Sequence, residues 1–99
     1  MSSSTLLTED EITAGLAKLP GWRRQGEAIT RTVEAADFPA AIRVVVAVAE
    51  AAEAMNHHPD IDIRWRTLTF VLATHSAGGV TDLDLQLAAR IDQAFNQQS

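Results

Sequence analysis

The chain has no cysteine among its 99 residues. Disulfide frameworks and thiolate zinc sites are therefore excluded. It also lacks a concentrated basic surface. Its eight Lys and Arg residues are scattered and the net charge is −5, whereas phosphate binding needs clustered positive charge. The expectation is no direct nucleic-acid partner. No apolar run is long enough to span a membrane, since Arg43, Glu50 and Glu53 interrupt the longest, from Phe38 to Met55. The start, Met1-Ser2-Ser3-Ser4-Thr5, lacks the basic flank and apolar core of a secretory signal. A cytoplasmic location is the expectation. There is no nucleophile-elbow serine, no phosphate-loop lysine beside Gly78-Gly79 and no H-E-x-x-H zinc helix.

What remains is a composition 46% hydrophobic and 21% charged, ordinary for one small globular domain with a single core. Residues 1–7 read as a flexible tail and 8–97 as the domain. Thr8 and Glu11 form a capping box, and Ile12, Leu16 and Leu19 follow at helical spacing until Pro20-Gly21. Trp22–Arg24 and Ala28–Val33 read as strands about a turn at Gln25-Gly26-Glu27. Asp37 is a good N-cap and Pro39 fits a first turn, so a long helix is expected over Phe38–Asn56. The β-branched run Val44-Val45-Val46 argues for a strand; length, alanine content and the cap decide for helix. That helix is apolar nearly all round, which predicts burial on more than one side and, in so small a domain, a second copy of the chain.

Pro59 stops the helix. Ile61, Ile63 and Trp65 then alternate with charged residues, and Leu68, Phe70 and Leu72 alternate in the next segment, which predicts a second hairpin. Trp65 and Phe70 are expected in the core. Thr81 and Asp84 form a capping-box-like start in which the short aspartate reaches less well than glutamate. Leu83, Leu87, Ala88, Ile91 and Phe95 give the last helix one apolar stripe.

The chain has three histidines, two of them adjacent in Glu53-Ala54-Met55-Asn56-His57-His58-Pro59. Histidine is the usual proton carrier near neutral pH. Glu53 and His57 stand four apart, a spacing that lets them touch on one helix face. His58, extended by Pro59, must point elsewhere, so the pair can grip different parts of one small molecule. His75 arrives from a strand end and Asp84 from a helix start. Such element ends are where sites form on a rigid scaffold. A plain polar helix terminus and a histidine–carboxylate metal site are the competing readings of the same residues.

Glu53, His57, His58, Pro59, Trp65, His75 and Asp84 stand at spacings similar to the pattern of the pterin-4a-carbinolamine dehydratases. The Leu19-Pro20-Gly21-Trp22 segment and Thr74-His75 before a glycine loop resemble the family too. The resemblance covers roughly residues 6–96. It implies an α+β fold, a four-stranded antiparallel sheet with three helices on one face in the order α-β-β-α-β-β-α, assembled as a homodimer or homotetramer. It implies dehydration of 4a-hydroxytetrahydropterin to quinonoid dihydropterin, with no metal and no cofactor. His57 and His75 would then carry the proton transfers, with Glu53 orienting His57. His58, Pro59, Asp84, Asn56 and Thr74 would form the substrate-binding set. Asn56, Ile61 and Leu83 depart from the best-known animal members at site-lining positions. Those members also act as dimerisation partners of a transcription factor. The alternative is thus a non-catalytic oligomeric binding module on the same fold.

Overall fold

The computed structural model describes residues 5–98. Its elements are α1 (Glu9–Ala17), β1 (Arg23–Gln25), β2 (Ala28–Glu34), α2 (Phe38–Met55), β3 (Asp60–Arg64), β4 (Thr67–Leu72) and α3 (Asp82–Gln98). The strands form one antiparallel sheet in the order β1-β2-β4-β3. The expected α+β architecture and element order are both present.

Local chemistry explains where the helices begin. Thr8 Oγ1 accepts from the Glu11 N–H at 3.1 Å, and Glu11 Oε1 accepts from the Thr8 N–H at 2.8 Å; two free donors of the first turn are thereby satisfied. Asp37 caps α2 by accepting from the Ala40 N–H at 2.8 Å, with Pro39 in the first turn.

Alternation along the strands separates the two sheet faces. Leu68, Phe70 and Leu72 of β4 are buried, and the register sets Val33 opposite Leu68 and Ile29 opposite Leu72. Against this face pack Ile12 of α1, Ala41, Val44 and Val48 of α2, and Leu87, Ala88 and Ile91 of α3. One core thus lies between one sheet face and all three helices. Ala28, Val71 and Asp60 alternate with the inward residues and belong to the other face.

A polar tie crosses this interface. Asp92 of α3 accepts from Trp22 Nε1 at 2.8 Å and is ion-paired with Arg31 of β2; the Arg31 guanidinium also lies over the Phe95 ring. Trp22 is buried, so its indole N–H needs this acceptor.

Two expectations are revised, and the expected tail is described only in part. Of the expected tail, residues 1–4 lie outside the described residues, while the Leu7 N–H donates to the Val80 carbonyl at 3.0 Å and Leu6 bridges Thr81. The helix expected to Asn56 ends at Met55, because Asn56 adopts the left-handed conformation, φ 50°, as its C-cap. Phe70 is fully buried, but Trp65 is 69% exposed. β3 stops at Arg64, and Trp65 takes the first turn position at φ 55°, a strained conformation for a bulky side chain. Its ring packs under the Arg66 guanidinium instead, 4.7 Å away.

Replacing Asp92 with alanine leaves the buried Trp22 N–H without its acceptor and unpairs Arg31. A loss of about 1–3 kcal/mol in unfolding free energy is expected, measured by urea denaturation.

Candidate active site

The sheet end that carries the C-terminus of β4 and the N-termini of β2 and β3 also receives the segment after α2 and the start of α3. Because Asn56 turns the chain out of the helix, His57 and His58 no longer follow helical spacing. The His57 N–H still closes on the Ala52 carbonyl at 3.0 Å, but its ring turns inward. His57 Nε2 lies 2.6 Å from Asp84 Oδ1. The pair is secluded: the His57 side chain is 10% exposed and that of Asp84 is 0% exposed.

A carboxylate taken fully out of water needs its lone pairs filled. Asp84 Oδ2 accepts from Thr74 Oγ1 and from the Thr81 N–H, both at 2.9 Å. Thr74 Oγ1 and Thr81 Oγ1 lie 2.8 Å apart, and Thr81 Oγ1 accepts from the Leu83 N–H at 3.2 Å. Since the Thr74 proton goes to Asp84, the Thr81 hydroxyl must donate to Thr74. The donors run in one direction, Leu83 to Thr81 to Thr74 to Asp84, an arrangement in which each bond polarises the next. The aspartate of this capping-box-like start does reach the Thr81 N–H, although it is shorter than glutamate. With Asp84 ionised, the network also assigns the histidine proton. A carboxylate accepts only, so His57 donates through Nε2, and Nδ1 is its acceptor nitrogen when neutral.

The predicted contact between Glu53 and His57 is not made. Glu53 Oε2 lies 2.5 Å from His58 Nε2 instead, on an exposed surface. The helix break at Asn56 is the reason: it rotates His57 off the face that Glu53 shares and brings His58 within reach.

His75 sits in a compact loop after β4. The Thr74 N–H donates to the Gly79 carbonyl at 2.8 Å, and the Ala77 and Gly78 N–H groups return to the Thr74 carbonyl. Gly78 holds φ 80°, which a side chain rarely adopts. His75 is exposed in this loop. A cavity of about 270 Å³ opens here, just below the usual range for small-molecule sites. Its floor is Ala28, Val71 and Ala73; around it stand Glu27, His58, Asp60, Thr74, His75 and the Gly78-Gly79 turn.

Of the predicted site residues, His58, Thr74 and His75 line this cavity. His57 and Asp84 stand behind Thr74 in the buried network. Glu53 meets the site through His58. Asn56 and Pro59 set the path of the chain rather than lining the cavity. Sequence reasoning missed Glu27 as a lining residue; its place in the first hairpin turn gave no sign that this turn borders the cavity. Among the described residues, no three His, Asp or Glu side chains converge as a metal-binding group.

The family model for pterin 4 alpha carbinolamine dehydratase matches residues 5–94. The chain belongs to this family. It is 57% identical over 91 residues to a Nocardia farcinica protein named for pterin-4-alpha-carbinolamine dehydratase, covering 92% of this chain and 96% of that one. A Mycobacteroides abscessus protein of the same name is 59% identical over 87 residues, covering 88% of this chain and 93% of that one. A crystal structure of a Brucella melitensis transcriptional coactivator/pterin dehydratase superposes with a TM-score of 0.86 at 37% identity, over 89% of this chain and 96% of that chain. A pterin dehydratase-like RuBisCO assembly factor of the alpha-carboxysome shares the fold alone, at 20% identity and a TM-score of 0.65.

Substituting Asp84 with alanine strands the Thr74 hydroxyl, the Thr81 N–H and the His57 ring in a buried place. The expected cost is about 2–5 kcal/mol of stability, read by chemical denaturation.

Proposed function

We propose that this protein is a hydro-lyase that dehydrates 4a-hydroxytetrahydropterin to quinonoid dihydropterin, in support of tetrahydropterin recycling. The observation that carries the reading is the convergence of His58 and His75 on one cavity, backed by an Asp84-held His57, in a member of this family.

The substrate bears a hydroxyl on a ring carbon beside ring nitrogens. Hydroxide leaves poorly, so an acid must protonate it while the C–O bond breaks; a base must take a proton from a ring nitrogen. Each transfer contributes about 10²- to 10⁴-fold. His75 and His57 are the proposed proton carriers. His57 is held by Asp84 through Nε2, which leaves Nδ1 as its proton-exchanging nitrogen. His58, steadied by Glu53, holds the pterin. Thr74 forms cavity wall and network at once, so it couples substrate position to Asp84. Asn56 and Pro59 act on binding by fixing the direction of the two histidines.

The reading includes a cytoplasmic homodimer or homotetramer. Its support is α2, which buries Ala40, Ala41, Val44, Val48 and Ala52 against the sheet and α3 yet leaves Phe38, Ile42 and Val46 exposed in an i, i+4, i+8 stripe. Val46 is 54% exposed. Three large apolar side chains in one line suit burial against a second copy. Among the described residues no helix is long and apolar enough to cross a membrane.

The decay of enzymatically generated 4a-hydroxytetrahydropterin, followed by absorbance, tests the chemistry. The wild type is expected to accelerate it, and His75→Ala and His57→Ala to lower kcat/KM by about 10²-fold or more. His58→Ala should act mainly on KM. Full activity in both proton-carrier variants contradicts the assignment. A drop in kcat for His58→Ala with none for His57→Ala transfers the role to His58. Val46→Glu, by contrast, is expected to lower the mass seen by size-exclusion chromatography with light scattering. A monomeric wild type would remove the second buried face of α2 from the account.

A further inference from the structure

In the dehydratase reading the histidines account for the reacting part of the bound ring. The other end of a pterin carries two parallel N–H donors, N3–H and the 2-amino group, and the roles above name no partner for them. The cavity holds two further carboxylates, Glu27 and Asp60. They stand on opposite sides. Asp60 opens β3 next to Pro59 and His58. Glu27 lies in the β1–β2 turn directly before β2. Between them run β2, β4 and β3, two strand spacings or roughly 10 Å, with Ala28, Val71 and Ala73 as a flat floor of small side chains. That span is commensurate with a fused two-ring heterocycle and the hydrogen bonds at its two ends.

Resting on the dehydratase reading, we infer that Glu27 is the specificity-determining residue for the pyrimidine edge of the substrate, its carboxylate accepting from N3–H and the 2-amino group. Two oxygens against two parallel N–H donors is the geometry that carboxylates use in bidentate recognition, and a charged acceptor makes each bond stronger. The turn that carries Glu27 is braced for the purpose. Gly26 takes φ 60°, open to a residue without a side chain, and its carbonyl accepts from Arg24 Nε at 2.8 Å. Arg24 is anchored in turn by Glu9, 2.6 Å from its Nη1. Arg24 is therefore a positioning residue for Glu27, acting through the backbone of the turn.

The consequence is a selectivity that can be inverted. An amide at position 27 offers one donor and one acceptor, and so suits lumazine, which carries an oxygen where pterin carries the 2-amino group. Binding of pterin and of lumazine to the full-length protein, titrated by ligand fluorescence at neutral pH, reads this directly. For the wild type, pterin is expected to bind more tightly than lumazine. In Glu27→Gln the pterin-to-lumazine preference should fall by about tenfold or more, with pterin weakened and lumazine strengthened. Circular dichroism should be unchanged, since Glu27 is exposed in a turn. An unchanged preference in Glu27→Gln overturns the inference while the dehydratase reading stands, provided the wild type still accelerates dehydration. A shift in Asp60→Asn and none in Glu27→Gln overturns it in favour of the opposite wall. A wild type that neither binds pterin nor accelerates dehydration removes the parent reading and this one with it.

Discussion

Asp84 is the constraint on which the functional end of the molecule depends. A carboxylate with no solvent contact is tolerated only when its oxygens are filled. Filling them draws together three parts of the chain that are distant in sequence: the segment after α2 through His57, the extension of β4 through Thr74, and the entry to α3 through Thr81. One buried charge thereby starts a helix, closes a loop and orients a histidine. The packing of α2 and α3 over the sheet supplies the enclosure that makes this charge so demanding.

Around that hub the site divides the labour among its histidines by direction. The left-handed turn at Asn56 sends His57 inward to Asp84, and Pro59 keeps His58 extended toward the cavity and Glu53. The Thr74–Gly79 closure presents His75 from the third side. A small molecule on the Ala28–Val71–Ala73 floor would meet His58 and His75, with the carboxylates of Glu27 and Asp60 on opposite sides. Stability and chemistry are coupled through Thr74, which touches both the cavity and the hub.

Much of this was legible in the residues, and for stated reasons. Capping depends on short-range spacing, so Thr8 with Glu11, Asp37 with Pro39 and Thr81 with Asp84 could be read directly. Period-two alternation gave both hairpins. The strand order β1-β2-β4-β3 was not derivable from periodicity, because alternation fixes which face a residue joins and not which strand lies beside it. Glu53 was paired with the wrong histidine because the helix was extended by one residue, through an asparagine whose left-handed conformation ends it. Trp65 was assigned to the core because its alternation continued that of Ile61 and Ile63, although the strand stops before it. The burial of Asp84 ran against the usual preference of aspartate for water, and only its capping spacing hinted at a partner. Glu27 was missed because a cavity built from four separate segments leaves no local pattern.

The proposed chemistry depends on Asp84 holding His57 with the proton on Nε2, which leaves Nδ1 as its exchangeable nitrogen. Nitrogen-15 NMR of the histidine rings near neutral pH, recorded with and without a stable oxidised pterin, tests that directly. The account predicts a protonated Nε2 and a bare Nδ1 on neutral His57 in the free protein, with Nδ1 and His75 shifting as pterin is added. A His57 ring protonated on Nδ1 alone, or one indifferent to pterin while the ligand is bound, would contradict it.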